Sequence, residues 1–331
     1  MDQSAPATTD VPTRPRLRLG DFELRGGRIV LAKTGNSAAI DRALLGEVAT
    51  WVGCFLLIRA RALFVARRPG RSIWFTPDVP HPRYMVRIAA IAAGITVART
   101  PGEATAAFFF EDATSSVAPA VDHDRAFNFG CGDISKSRVA RVFAEVFGYP
   151  LALDPARWHG DAVEKSEANG THDGRVVACP YVAQPGKVYQ CLVDTVRADG
   201  FAYDLRTHVV GGSVVAVWVK QRDAAGRFLP PNRAATLVDP ATVFSPAELA
   251  RIGAFATAMG ADWAGLDILR DEPSGRIYIV DVNKTDAGPI IALPVAAKLR
   301  SVAVLAKALT ALIDQPSSAA VSASTRASRA A

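Results

Sequence analysis

The sequence of 331 residues has few cysteines, and they form no recognisable pattern. The four cysteines are widely spaced, with no Cys-x-x-Cys pair: Cys54, Cys131, Cys179 and Cys191. This spacing matches no zinc-binding motif and is typical of reduced thiols in a cytosolic protein. The first twenty residues also lack an apolar core, so we expect no secretory signal and a cytoplasmic location.

Long apolar runs are also lacking. The two most apolar early segments are residues 51–66, which contain Arg59 and Arg61, and residues 86–97. The first is interrupted by charge and the second is too short to cross a bilayer. We therefore expect both to be buried elements, and we expect no membrane partner.

The charge balance is mildly basic, with a formal net charge of +6. Such a charge fits nucleic acid, an anionic membrane or a polyanionic small molecule. The chain has no Arg/Lys-rich tract interleaved with aromatic residues and no helix-turn-helix spacing, so we expect no nucleic-acid partner. Half of the residues are hydrophobic, which is typical of a soluble globular protein with a substantial core.

The pattern along the chain predicts a mixed α/β (α+β) protein in several parts. Residues 1–16 are polar and Pro-rich and residues 314–331 are Ala/Ser-rich, so both are predicted to be disordered tails. Residues 17–125 mix short β-like and helical runs, which predicts a small N-terminal α/β domain. Residues 126–313 begin with a helix, continue through several strands, and end with a long helix, which predicts a second, larger domain.

Residues 265–283 predict a β-hairpin that carries Asp267, Asp281 and Asn283. Side chains alternate between the faces of a strand, so Asp281 and Asn283 share one face. If Arg270 pairs with Arg276, Asp267 lies on that face as well, diagonal to Asp281 at roughly 7–8 Å between backbones. Oxygen ligands at this separation suit Mg²⁺ or Mn²⁺, and the alternative is an exposed face whose acids are only solvated.

A helix is predicted over residues 134–147, with Asp133 as its cap and Lys136 and Arg138 near its start. Cations at a helix N-terminus oppose the macrodipole by about 0.3–1 kcal/mol each. A bound anion would turn this cost into a binding site, because free backbone N–H groups and basic side chains would face it together. The alternative is a solvated basic face.

Further cations lie on predicted strands. Lys165 ends a strand before a Gly-containing loop at residues 167–174, which is compatible with a phosphate cradle under a mobile loop. Arg206 and Lys220 lie in two strands joined by a Gly-Gly turn, where they are predicted to face each other. Facing cations repel, so we expect an anion between them.

The order of these elements resembles that of ATP-grasp enzymes such as D-alanine–D-alanine ligase, glutathione synthetase and the ligase that adds glutamate to a ribosomal protein. The resemblance covers residues 126–290. It implies an ATP-grasp fold, in which two α+β subdomains grip ATP, preceded by a small α/β N-terminal domain. The implied cofactors are ATP and Mg²⁺ (or Mn²⁺).

The resemblance also implies roles for single residues. Two lysines match those that hold the ATP phosphates, Lys136 and Lys165. The loop at 167–174 matches the flexible phosphate lid. A hinge segment and the acid after it match the adenine and ribose contacts: Gln190, Cys191, Leu192 and Asp194. Two catalytic cations match Arg206 and Lys220, two contacts to the acyl substrate match Arg227 and Asn232, and the magnesium ligands match Asp267, Asp281 and Asn283.

The activity that the resemblance implies is ATP-dependent joining of a carboxylate to an amine through an acylphosphate. The partners would be a small-molecule or peptide carboxylate and an amine, and the resemblance leaves a homodimer open. Asp194 and Asp281 are shorter than the glutamates usual at these positions. Two alternatives stay open: a kinase or other phosphotransferase of the same fold, and a non-catalytic nucleotide-binding module whose shortened acids have lost turnover.

Overall fold

The computed structural model describes residues 18–19, 22–31, 37–64, 70–171, 173–226 and 232–315. The predicted tail at 1–16 lies outside these ranges, as does the predicted C-terminal tail from residue 316 on. The chain divides into two compact units, one ending at Val52 and the other beginning at Gly53. None of the helices in the described ranges combines the length and apolar character needed to span a bilayer.

The first unit contains a small antiparallel sheet in the order β1-β2-β3-β4. Its strands are β1 (Arg18–Leu19), β2 (Phe22–Arg25), β3 (Arg28–Leu31) and β4 (Ser37–Ala39). The turn between β2 and β3 consists of Gly26 and Gly27, both at positive φ, as a two-residue hairpin turn requires. Helix α1 (Arg42–Phe64) follows and spans the division between the units.

The second half of α1 corrects the expectation that residues 51–66 are buried. Cys54 and Ile58 are buried in the core, but Leu56 and Leu63 are exposed. Apolar residues surround this helix on all sides, while a helix packs only one face against a core. The prediction was therefore wrong for the outer face of α1.

The second unit begins with a parallel sheet in the order β6-β5-β7-β8. Its strands are β5 (Ser72–Pro77), β6 (Thr96–Val97), β7 (Ala106–Phe110) and β8 (Ala126–Phe127), and α2 (Met85–Ala92) joins β5 to β6. All five residues of β7 are buried. A continuous apolar run of this kind is typical of a strand covered on both faces.

Helix α3 (Lys136–Phe147) precedes a three-stranded antiparallel sheet. The strands are β9 (Gly160–Ser166), β10 (Arg175–Cys179) and β11 (Lys187–Cys191), in the order β10-β9-β11. Ser135 caps α3 by accepting from the Arg138 N–H at 3.4 Å, whereas Asp133 accepts from the Ser135 N–H at 2.9 Å. The prediction of Asp133 as the cap was therefore wrong by two residues. Gly148, at φ 78°, ends the helix as its αL cap.

The largest sheet is antiparallel, in the order β14-β13-β12-β15-β16. Its strands are β12 (Phe201–Val210), β13 (Ser213–Asp223), β14 (Ala234–Val238), β15 (Trp263–Arg270) and β16 (Ile277–Asn283). Helix α4 (Pro246–Ala258) begins with a capping box of Ser245 and Glu248, and helix α5 (Val295–Asp314) is the last helix of the described chain.

The two faces of this sheet have different partners. On one face Leu205, Val209, Leu266 and Ile268 share a core with the apolar sides of α3 and α4. On the other face α5 packs near one end, where Trp218 donates a buried hydrogen bond to Ser301 at 2.8 Å. The rest of that second face is polar, and it carries Arg206, Lys220, Asp267, Asp281 and Asn283.

Candidate functional site

The β15–β16 hairpin places Asp267 directly opposite Asp281, and Gly265 opposite Asn283. The predicted register was wrong. Arg270 pairs with Ile277 rather than Arg276, and a β-bulge between Asp267 and Ile268 adds a second one-residue shift. Directly opposite residues are closer than diagonal ones, so the two carboxylates are neighbours on one face.

Two cations hold Asp267. Arg206, opposite Asp267 on β12, donates from Nη1 to Oδ2 at 3.0 Å. Lys220 on β13 donates from Nζ to Oδ1 at 3.1 Å. Burial opposes ionisation of Asp267, but these cations outweigh it and hold the pKa of the carboxyl far below its usual range.

The predicted face-to-face position of Arg206 and Lys220 was wrong. Arg206 lies opposite Trp218, and Lys220 lies opposite Asp204. A register shift after His208 moves the two cations to a diagonal. The anion expected between them is present, and it is a side chain of the protein, because the carboxylate of Asp267 bonds to both.

Asp204 is a member of this cluster that the sequence reasoning missed. Its Oδ2 lies 3.2 Å from Nη2 of Arg222 and 3.8 Å from Nζ of Lys220. Burial raises the pKa of Asp204, while the two cations oppose the rise. Arg222 also donates to Asn232 at 2.9 Å, which ties Asn232 to this edge of the site. Arg227 lies outside the described residues.

Lys136, at the start of α3, reaches the hairpin. Its ammonium donates to Asp281 Oδ1 at 2.6 Å and to Asn169 Oδ1 at 3.1 Å. Asn169 Nδ2 lies 3.4 Å from Asn283 Oδ1. Asn169 belongs to the loop between β9 and β10 (residues 167–174), so helix, loop and hairpin meet at this point.

The anion expected at the start of α3 is also a side chain of the protein. Glu167, in the β9–β10 loop, accepts from the Ser137 backbone N–H and from the Ser137 hydroxyl, each at 3.1 Å. A carboxylate at a helix N-terminus is favoured by the free N–H groups and by the macrodipole. The loop matched to a flexible lid is therefore bonded to the helix in this structure.

Lys165, on β9, is partly buried, and its ammonium makes no hydrogen bond with residues in the described ranges. Burial lowers its pKa to about 8. Asp281 opposes this effect and Lys136 adds to it. An ammonium in this position near other cations gains from an anionic ligand, because both the burial cost and the repulsion would be offset.

Gln190, on β11, lies opposite Val163, and its neighbour Val188 lies opposite Lys165. Alternation along β11 and β9 therefore puts Gln190 and Lys165 on the same face of this sheet. Gln190 is 1% exposed, and both polar atoms of its amide are buried without a partner among the described residues. A buried amide without hydrogen-bond partners costs free energy. A ligand that presents hydrogen-bonding groups to Gln190 would remove this cost.

Some polar groups of the residues after Gln190 already bond to other parts of the protein. The Cys191 N–H donates to Leu151 O at 2.9 Å, and Leu192 is partly buried. Asp194 is exposed and accepts from the Val196 N–H at 3.1 Å, as in an Asx turn. Its backbone is tied to the β15–β16 turn through Asp271 at 3.1 Å.

A further buried pair joins β12 to the turn after the β15–β16 hairpin. His208 Nδ1 lies 3.2 Å from Asp286 Oδ2, and His208 is fully buried with its ring edge-on to Trp263 at 4.5 Å between centroids. His208 follows Arg206 by two residues on the same strand, so the alternation of side chains could have placed it on the same face. Asp286 follows the hairpin in a turn, a position that local pattern does not connect with β12.

The donor set on the hairpin fits a small divalent cation. No cluster of three or more acidic, histidine or cysteine side chains suited to a metal occurs within the described ranges. Asp267, Asp281 and the amide of Asn283 nevertheless present oxygen donors on one face. Mg²⁺ commonly takes one or two carboxylates and completes its shell with water and substrate phosphates, so this set is sufficient.

The comparisons with known proteins show the fold. The structure of the ATP-grasp ligase PsnB, in complex with a phosphomimetic variant of its minimal precursor, Mg and ADP, matches 73% of this chain and 98% of its own at a TM-score of 0.50 with 14% identity. The chain thus has the ATP-grasp fold, and the expected fold class is confirmed.

Two further solved structures are similar at lower scores. The D-alanine–D-alanine ligase from Bacillus anthracis, complexed with ATP, covers 74% of this chain and 96% of its own, with 10% identity and a TM-score of 0.44. The RimK domain ATP-grasp protein from Sphaerobacter thermophilus covers 74% and 99%, with 14% identity and a TM-score of 0.45. No protein-family model and no curated protein sequence matches the chain.

Proposed function

We propose that this protein is an ATP-dependent carboxylate–amine ligase that binds ATP with Mg²⁺. The proposal rests on one observation. Asp267 and Asp281 lie side by side on the hairpin, and the cations of four separate elements, Lys136, Lys165, Arg206 and Lys220, surround them. Such a mixed cluster matches a metal–triphosphate complex, which presents both signs of charge.

We assign each residue a role in binding Mg·ATP from its position. Lys136 and Lys165 would hold phosphate oxygens, and Asp267, Asp281 and Asn283 would hold the metal. The bound metal would neutralise charge on the phosphates. On the same face of the β10-β9-β11 sheet as Lys165, the unpaired amide of Gln190 would meet the edge of the base, with Cys191, Leu192 and Asp194 following along the nucleoside.

Arg206 and Lys220 would act on the transferred phosphoryl group. In the proposed first step, a substrate carboxylate oxygen attacks the γ-phosphorus, the bond to the β-phosphate oxygen breaks, and ADP leaves. In the second step an amine attacks the acyl carbon, a C–N bond forms, and phosphate departs with the electron pair of the C–O bond and takes up the proton that the amine loses. Both side chains contact Asp267 and lie where fixed positive charge can stabilise developing negative charge.

Residues 126–313 are proposed as the ATP-grasp domain and residues 17–125 as the domain before it. Asn232, bonded to Arg222 beside Asp204, and Arg227 are proposed to contact the acyl substrate. The four cysteines are unpaired thiols, and we propose a cytoplasmic location on that basis.

A coupled ADP-release screen tests the proposal. The purified protein would be incubated with Mg·ATP and with amino acids and short peptides, singly and in pairs. Peptides belong in the screen because the PsnB structure contains a variant of a precursor. We expect continued ADP release over many turnovers only with both a carboxylate and an amine, with the amide product detected by mass spectrometry.

The same assay separates the two alternatives. A kinase would release ADP and yield a stable phosphorylated product without an amine. A non-catalytic module would bind ATP and release no ADP with any substrate pair. The shorter acids Asp194 and Asp281 are the features that keep the second alternative open.

A further inference from the structure

Lys136 bonds directly to one of the hairpin carboxylates. Its ammonium is 2.6 Å from Asp281 Oδ1, and the side chain is only 7% exposed. The same carboxylate oxygen accepts from the Val282 N–H at 2.9 Å. Asp281 thus already has a cation bound at short range.

The oxygens of Asp267 and Asn283 are also engaged. Both oxygens of Asp267 accept from the cations of β12 and β13, at 3.0 and 3.1 Å. Asn169 Nδ2 lies 3.4 Å from the Asn283 amide oxygen. A divalent ion at the 2.0–2.1 Å typical of Mg²⁺ would meet the Lys136 ammonium at close range, so the two cannot both bind Asp281 Oδ1 without strong repulsion.

The β9–β10 loop holds this arrangement in place from the other side. Glu167 bonds to Ser137 at the start of α3, and the Asn169 backbone N–H donates to Thr114 Oγ1 at 2.8 Å. Asn169 in turn accepts from Lys136 at 3.1 Å. Glu167 thus lies where an anionic phosphate would bind, and Lys136 lies where a metal would bind.

We propose that Lys136, positioned by Asn169, is the internal counter-ion of the metal site, so that a divalent ion binds there only together with a triphosphate. This inference rests on the proposed ATP site. Triphosphate oxygens would bind the Lys136 ammonium and draw it from Asp281, and the carboxylate would then be available to the metal. Metal and nucleotide therefore bind with positive coupling, and each raises the affinity of the other by the same factor.

The test is a titration of the full-length protein with Mn²⁺ in the absence of nucleotide. The electron paramagnetic resonance signal of free Mn²⁺ measures how much of the ion is bound. Lys136→Met removes the counter-ion while keeping an apolar stem of similar length. We expect it to bind Mn²⁺ at least about tenfold more tightly than the wild-type protein. Asn169→Ala should shift the affinity in the same direction, and it provides the test if Lys136→Met does not fold.

Arg141→Met is the matched control. Arg141 lies on the same helix, is exposed, and pairs with Glu145 at 3.3 Å. Its replacement removes one positive charge and should leave Mn²⁺ affinity at the wild-type value. An equal gain in this control, or wild-type protein that binds Mn²⁺ alone as tightly as Lys136→Met does, would overturn the proposal.

A parallel titration with a nonhydrolysable ATP analogue and Mn²⁺ separates this inference from the function on which it rests. If wild-type protein binds the analogue, and binds Mn²⁺ with the same affinity whether or not the analogue is present, the counter-ion role is contradicted and the proposed ATP site is not. No analogue binding under any metal condition defeats the proposed function itself. Analogue binding with Mn²⁺ affinity gained only in Lys136→Met and Asn169→Ala supports both.

Discussion

Asp267 and Asp281 lie directly opposite each other on adjacent antiparallel strands because a one-residue bulge shifts the register between them. Two carboxylates in this relation repel each other. Separate cations stabilise them: Arg206 and Lys220 bond to Asp267, and Lys136 bonds to Asp281. The paired acids and their cations form the charge arrangement from which the proposed chemistry follows.

Replacement of Asp281 by Asn should abolish turnover while the fold stays intact. The amide keeps the shape of the side chain but removes the charge that a metal needs. We expect Mg²⁺-dependent ADP release to fall by about 100-fold or more. The control is Asp122→Asn, an exposed acid without a hydrogen bond in the described ranges. Undiminished ADP release in Asp281→Asn would refute the metal assignment.

Gly265→Ala should displace Arg206. A Cβ at Gly265 would lie 2.8 Å from Nη2 of Arg206, too close for any real contact. Because the end of a flexible side chain can move, we expect the free energy of unfolding to change by less than about 1 kcal/mol. Turnover should fall by roughly tenfold or more as Arg206 loses its position against Asp267.

Gly102→Ala is the matched control for this substitution, since a Cβ there meets no atom within 4 Å. It should leave both stability and turnover close to wild type. If Gly265→Ala behaves in the same way, Arg206 is not held where the proposed phosphoryl transfer requires it.

ATP affinity should depend on pH through Lys165. Burial lowers the pKa of this lysine to about 8, so its ammonium is charged below that pH and neutral above it. The charged form binds phosphate, and affinity should therefore be constant below about pH 8 and decline as the pH rises further. Titrations of ATP at a series of pH values give the profile.

Lys165→Arg separates Lys165 from other titrating groups. Arginine stays protonated across this range, since its pKa exceeds about 12. The variant should bind ATP with an affinity that no longer declines above pH 8. A decline equal to that of the wild-type protein would assign the pH dependence to a different residue.

Asn128 should be important for stability rather than for chemistry. It is fully buried at φ 62°, and its amide donates to Trp263 O at 2.9 Å and accepts from Trp263 N at 2.8 Å. Asn128→Ala leaves two buried backbone groups unpaired, so we expect the free energy of unfolding to fall by about 3 kcal/mol. Chemical denaturation measures this change.

Asn128→Gly distinguishes the two causes of that loss. Glycine accepts positive φ without strain but makes no side-chain hydrogen bond. Most of the destabilisation should therefore persist in Asn128→Gly. A glycine variant as stable as wild type would show that backbone strain, and not the lost hydrogen bonds, explains the effect in Asn128→Ala.

Alternation and turn signals were sufficient to predict the strands of the hairpin and the shared face of Asp267, Asp281 and Asn283. They were not sufficient for the register. A bulge depends on how β15 and β16 pack on the layers around them, and a single residue added to one strand leaves little mark in the local pattern. The capping box of α4 is, in contrast, a local signal, because Ser245 and Glu248 satisfy it within one turn.

The partners of the cations were harder to predict. The sequence indicated that Arg206 and Lys220 needed an anion, and that the start of α3 could bind one. The anions observed, Asp267 and Glu167, come from other strands and loops, and local periodicity carries no information on such long-range pairings. Asp204 could have been predicted from the sequence, since it precedes Arg206 by two residues and therefore lies on the same face of the strand.

The most direct test of the central claim is calorimetric titration of ATP into the wild-type protein and into Asp281→Asn, with Mg²⁺ and with a chelator. The claim predicts that wild-type protein binds ATP with Mg²⁺ and that chelation or the substitution weakens this binding by at least about tenfold. ATP affinity that is the same in all four titrations, or undetectable in each, would contradict it.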